Sequence, residues 1–151
     1  MTAHAPRVAY SQLAPQAFKG LYQASGALRK DRLGARLVEL VFLRVSQING
    51  CAYCMDMHWR DLVKLDADPR HLNAVAGWRE APFFSERERA ALRWAELVTD
   101  IPHKDASDQE FALLKAVFSD EEIADLAFAI AIINAWNLIS VSMRNPLPEQ
   151  A

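Results

Sequence analysis

The stretch that decides how this chain folds is "QINGCAYCMDMH", Gln47 to His58, which holds both cysteines and a histidine four positions after the second. Upstream of it, Leu33, Leu37, Val41, Val45 and Ile48 recur at spacings of three and four, one apolar face of an α-helix. Gly50 ends that run, Asn49 is placed to cap the next helix, and this second helix is expected from Cys51 to about Leu65. Both cysteines then lie at the start of a helix, across a tight turn from the one before it.

Outward from this turn the pattern stays helical. A first helix is expected around Pro15 to Leu28, and "DADPR" opens a short turn or helix at Pro69. Three Ser-x-x-Glu pairs, Ser85 with Glu88, Ser107 with Glu110 and Ser119 with Glu122, mark three more helix starts. In such a box the serine oxygen and the glutamate carboxylate each accept one backbone N–H that the helix leaves free. No alternating run bounded by turn residues reads as a strand. The expected fold is all-α, a compact bundle of six to seven helices forming one domain over residues 1-151.

Apolar residues make up 52% of the chain, enough for a core and for a subunit interface as well. A net charge of −2, with lysines and arginines scattered, gives no electrostatic footprint for nucleic acid. No charged head followed by an apolar stretch opens the chain, and the expected location is the cytoplasm, where cysteine pairs are more often catalytic than structural. The uncharged span Ala127 to Met143 contains Asn134 and Asn137 and falls short of the roughly 20 residues that cross a bilayer. It reads as a helix of the core or of a subunit interface, with no membrane partner.

Stepping about 100° per residue puts Cys54 about 60° from Cys51 and brings His58 back to within about 20° of it. The i,i+3 spacing sets the two Cα atoms roughly 5 Å apart, inside the range of about 4.4–6.8 Å that a disulfide spans. A thiolate is favoured by a helix N-terminus, which helps Cys51, or by a neighbouring imidazolium, which helps Cys54. Once one sulfur is oxidised to a sulfenic acid, the other can condense with it to a disulfide. Glu39, inside the apolar run "LVELVFLRV", needs a reason for its burial; it lies where it can fold back beside the cysteines and accept a proton.

Plainer readings stand beside this one. The cysteines can be two small buried apolar residues. Cys51, Cys54, His58 and Glu39 would make four zinc ligands, although structural zinc usually draws on two separated pairs. Glu39 can simply pair with Arg36 or Arg44. His4, His71 and His103 read as solvated, the four tryptophans as packing residues, and Asn134 and Asn137 as polar contacts between helices or subunits.

Glu39 followed by "INGCAYCMDMH", and the later "INAWN" (Ile133 to Asn137), resemble the carboxymuconolactone decarboxylase superfamily, specifically its alkylhydroperoxidase D-like (AhpD-like) branch. The resemblance implies an all-helical subunit that assembles as a trimer or hexamer. It implies a thiol-dependent peroxidase acting on small hydroperoxides, with no cofactor and no metal. In that reading Cys54 attacks the peroxide, Cys51 closes the disulfide, and Glu39 and His58 form the proton relay. An external dithiol, on a lipoyl-bearing or thioredoxin-like protein, would restore the pair. Well-studied members carry histidine where this chain has Tyr53, and a phenol does not shuttle protons near neutral pH as imidazole does. The branch with decarboxylase activity lacks the cysteine pair. A disulfide reductase serving another peroxidase, a thiol sensor and a zinc-binding module are the alternative functions.

Overall fold

The computed structural model describes residues 5–147, and every regular element in them is helical. The α-helices are α1 (Tyr10–Leu13), α2 (Pro15–Leu28), α3 (Ala35–Ile48), α4 (Ala52–Lys64), α5 (Pro69–Asn73), α6 (Glu86–Thr99), α7 (Asp108–Lys115) and α8 (Asp120–Met143). Single 3-10 turns follow α5 (Val75–Gly77) and α6 (Ile101–His103). The count exceeds the expected six to seven by α1, whose 4 residues are too few to leave a periodic apolar face in the sequence, while α5 is the short helix expected at Pro69. His4 lies outside the described residues.

Local chemistry sets the helix ends much as expected. Ser85 and Ser119 form complete capping boxes with Glu88 and Glu122. At α7 only half the box forms: Ser107 accepts from the Glu110 N–H, while the Glu110 carboxylate turns away to pair with Arg93 of α6. Gly50, at φ +66°, makes the left-handed step between α3 and α4 that a side chain would strain. Asn49 ends α3 rather than capping α4; the N-cap of α4 is Cys51 itself.

α3 is the central post of the bundle. Residues Leu37 to Leu43, with Val45 and Ser46, are all buried, so this helix is enclosed on nearly every side. It packs against α4, α6 and α8. On one side Val38, Val41 and Phe42 meet Ala91 and Ala95 of α6 and Leu126, Ala129 and Ile133 of α8. On the other, Leu40 and Leu43 join Leu62, Leu72, Val75, Trp78 and Leu92 in a second cluster. Each such apolar side chain contributes about 1.5–3 kcal/mol on burial, which is why α3 holds its register. α8 is apolar and, at 24 residues, long enough to cross a membrane, but Leu126, Ala129, Ile130, Ile132 and Ile133 face the protein core. Trp59 departs from the expected packing role, with 39% of its surface exposed, and His71 stacks on Phe83 at 4.2 Å between ring centroids.

One cluster of charges ties the second core together. Glu96 accepts from Arg44 Nε at 2.7 Å and from the Trp78 indole N–H at 2.9 Å, and pairs with Arg79 at 2.7 Å. Burial pushes this carboxyl up, but the indole and the two guanidiniums outweigh it and hold the group below the usual carboxylate range. Such a group stabilises the fold fully above its unfolded value of about 4.3, and the contribution fades as pH falls through the lower folded value. Glu96→Ala is expected to cost roughly 3 kcal/mol by stranding its three donors, seen as a lower urea midpoint at neutral pH. The stability gap between the wild type and Glu96→Gln should narrow on acidification.

Candidate functional site

The turn at Asn49 and Gly50 is held from across the bundle. Asn49 Nδ2 donates to Asn134 Oδ1 at 2.8 Å and to Asn137 Oδ1 at 3.0 Å. Asn137 Nδ2 donates to Ser46 Oγ at 3.0 Å, and Ser46 Oγ donates to the Phe42 carbonyl at 2.7 Å. Asn134 and Asn137 of "INAWN" are thus contacts between helices, as expected, and their job is to clamp the turn that presents Cys51. Trp136, between them, faces the other way, where its indole N–H donates to Ser25 Oγ of α2 at 2.9 Å.

Cys51 caps α4 and its sulfur accepts the Cys54 backbone N–H at 3.3 Å. The two cysteines form a disulfide, with Cα atoms 5.3 Å apart, so the i,i+3 geometry inferred from the sequence is realised. Both residues are buried, yet they are not equivalent. A cavity of about 260 Å³ between α2, α4 and α8 is lined by Cys54 and His58, while Cys51 lies outside its wall.

Glu39 occupies the centre of the site with 1% of its surface exposed. Its Oε2 lies 2.7 Å from His58 Nδ1, and its Oε1 accepts a short hydrogen bond from Arg29 Nε. An ionised carboxylate only accepts, so in the neutral ring paired with it Nδ1 carries the proton and Nε2 the free lone pair. His58 Nε2 is buried with no hydrogen-bond partner among the described residues. Phe42 buttresses both partners of Glu39: its ring meets His58 edge-on at 5.1 Å and lies 5.3 Å from the Arg29 guanidinium.

The ion pair considered for Glu39 therefore exists, but with a different partner. Arg36 binds Glu88 and Arg44 binds Glu96, both at distances under 3 Å, because on α3 each points along its own face toward α6. Arg29, the C-cap of α2, is ten residues upstream and had no periodic signal to mark it. Asp61, one turn beyond His58 on α4, also lines the cavity. Helical spacing from His58 would have found it. Ligand-type atoms of Glu39, His58 and Asp61 lie within 4.8 Å of one another, whereas both sulfurs are spent on each other in this oxidised form. The four-ligand zinc set of Cys51, Cys54, His58 and Glu39 is not what the fold brings together here, and the Arg29 charge on Glu39 opposes a cation at the set that does converge. Tyr53 is half-buried and stands on the cavity wall.

The geometry has counterparts in known proteins. The profile of the Carboxymuconolactone decarboxylase family matches residues 13–97. The uncharacterized protein YdfG of Bacillus subtilis (strain 168) is 34% identical over 139 residues, covering 92% of this chain and 95% of its own. ATU0492 of Agrobacterium tumefaciens, a protein of unknown function described as a candidate AhpD antioxidant defence protein, superposes with a TM-score of 0.91 at 38% identity, over 97% of this chain and all of its own. The debrominase Bmp8 shares the fold at a TM-score of 0.78 and 23% identity, over 91% of this chain and 74% of its own. With the paired cysteines, the glutamate and the histidine brought together as described, this chain belongs to the carboxymuconolactone decarboxylase family, in its AhpD-like branch.

Proposed function

We propose that the protein is a thiol peroxidase that reduces organic hydroperoxides through Cys54 and Cys51. The observation that carries this reading is the asymmetry of the pair. One cavity presents Cys54 together with the basic Nε2 of His58, and Cys51 stands behind, within bonding reach of Cys54 alone.

The chemistry follows from those positions. In the reduced protein His58 Nε2 takes the Cys54 thiol proton, and the thiolate attacks the distal peroxide oxygen. The O–O bond breaks, the alkoxide leaves, and it takes the proton back from His58 as an alcohol. Cys54 is then a sulfenic acid. The Cys51 thiol attacks its sulfur, the S–S bond forms, and hydroxide leaves with the Cys51 proton as water. The sum is one hydroperoxide and two thiols giving one alcohol, one water and one disulfide. An external dithiol, on a lipoyl-bearing or thioredoxin-like protein, supplies the electrons that reopen the pair. Such cycling suits a cytoplasmic location.

Glu39 acts here as an anchor more than as a proton carrier. Both its oxygens are engaged, one by Arg29 and one by His58 Nδ1–H, which fixes the tautomer and aims Nε2 at the cavity. This lets a single imidazole serve where relatives use two, and Tyr53 is left to shape the wall. The exposed apolar stripe of α8, Phe128, Ala131, Leu138 and Val141, supports assembly into a homo-oligomer, a trimer or hexamer.

One equivalent of organic hydroperoxide on reduced protein should remove both thiols and lower the intact mass by about two units. Survival of both thiols, while they remain reachable by an alkylating reagent, would sink the peroxidase reading. Cys51→Ser should still consume peroxide once and leave a sulfenic acid that a dimedone-type reagent traps, whereas Cys54→Ser should do neither. His58→Ala is expected to slow Cys54 oxidation by about 10²–10⁴-fold, with partial rescue by added imidazole. Arg29→Met should slow the same step and lower stability, and Arg29→Lys should recover stability better than rate, because a lysine lacks the directed Nε–H. Light scattering on the eluted protein should give a mass of three or six chains, and Leu138→Glu should lower it.

A further inference from the structure

The cavity that Cys54 lines is far larger than a hydrogen peroxide molecule requires. Its volume of about 260 Å³ compares with about 30 Å³ for each water-sized molecule. Its wall is chemically one-sided as well. Tyr10, Phe18, Tyr22, Phe42, Tyr53 and Trp136 all contribute to it. Phe18 is the hub: its centroid lies 6.2 Å from Tyr10, 6.1 Å from Tyr22 in a stacked pair, and 5.6 Å from Trp136 edge-on. Those separations fall in the range at which aromatic rings attract one another, so a further ring meets faces and edges already set in place.

Several polar atoms on this wall are already engaged. Trp136 donates to Ser25, Ser25 donates to the Leu21 carbonyl, and Asn145 donates to the Tyr10 hydroxyl at 2.8 Å and to Ser140 Oγ at 3.1 Å. Among the described residues of this wall, His58 Nε2 is a buried polar atom without a hydrogen-bond partner, and Cys54 lines the same cavity. Charge narrows the choice further. The cation on the wall, Arg29, is held by Glu39, and the carboxylate of Asp61 on the same wall is paired with Lys64 at 2.8 Å. A carboxylate-bearing substrate, such as a fatty-acid hydroperoxide, finds both charges of this wall already paired, and so no free cation to receive it among these residues.

We propose that this cavity selects neutral aryl or aralkyl hydroperoxides, the ring seated against Phe18 and Trp136 and the peroxide turned toward Cys54 and His58. The proposal rests on the peroxidase reading above and specifies its substrate class.

Steady-state kcat/KM under one dithiol reductant, for cumene hydroperoxide, tert-butyl hydroperoxide, hydrogen peroxide and a linoleate-derived hydroperoxide, tests the order of preference. Cumene hydroperoxide is expected to lead each of the others by about tenfold or more, the scale of one added aromatic contact. A lead by hydrogen peroxide, tert-butyl hydroperoxide or the fatty-acid hydroperoxide, or equal values for all, overturns the proposal. In Phe18→Ala the ratio of cumene to tert-butyl hydroperoxide should fall toward one; an unchanged ratio in a folded variant also overturns it. A measurement free of turnover separates this claim from the peroxidase reading. Titrating the wild-type protein with 2-phenyl-2-propanol, the unreactive alcohol, should shift the Trp136 indole N–H resonance saturably, and tert-butanol should not. If no hydroperoxide is reduced, the peroxidase reading falls, and this titration alone then decides the cavity. A saturable Trp136 shift upholds its aryl preference and no shift refutes it.

Discussion

Burying the carboxylate of Glu39 in the middle of the most enclosed helix of the bundle is costly unless both oxygens are matched, and the site is arranged to match them. Arg29 arrives from the end of α2 on one side and His58 from α4 on the other, with Phe42 packed against both. Three helices must therefore be in register before the charge is satisfied. The same requirement orients the imidazole: with Nδ1 committed to Glu39, Nε2 is the ring nitrogen left without a partner among the described residues. Charge balance and the setting of the imidazole thus depend on one ion-paired triad, and a change at Arg29 reaches His58 without touching it.

Around that triad the fold separates two tasks. Apolar packing of α3 against α6 and α8 supplies the rigid frame. Polar clamps then position what the frame leaves free: the asparagines of α8 and Ser46 hold the Asn49–Gly50 turn, and that turn sets Cys51 as the N-cap of α4. Cys54 follows one turn later, where the cavity opens. The N-cap contact from the Cys54 N–H to the Cys51 sulfur places a donor next to that sulfur, while His58 lines the cavity together with Cys54. The likeness to ATU0492 over nearly the whole of both chains shows that this frame is shared within the AhpD-like branch. The similarity to Bmp8, at 23% identity, speaks only for the fold.

Legibility from the sequence followed the range of each interaction. The Cys51–Cys54 disulfide geometry was readable because it is set by helical pitch over three residues. Ser85 and Ser119 were readable as caps for the same reason. Ser107 was only half right, since Glu110 found a stronger partner on another helix than the backbone N–H beside it. The burial of Glu39 was visible from its apolar neighbours, but its partner was not. Arg36 and Arg44, near it in sequence, point elsewhere, and Arg29 comes from a segment with no periodic relation to it.

By itself, then, the sequence determined the helical class, the helix starts, the redox-capable spacing of the cysteines and the family to which the chain belongs. Each of these is written in local periodicity or in a short motif, where backbone geometry alone fixes the outcome. Tertiary structure decided which cation neutralises Glu39, which sulfur meets the cavity, and that the wall opposite Cys54 is built of rings from α1, α2 and α8. Those outcomes depend on how helices distant in the chain dock against one another. Docking is governed by the summed packing of many side chains, which no single stretch of the sequence records.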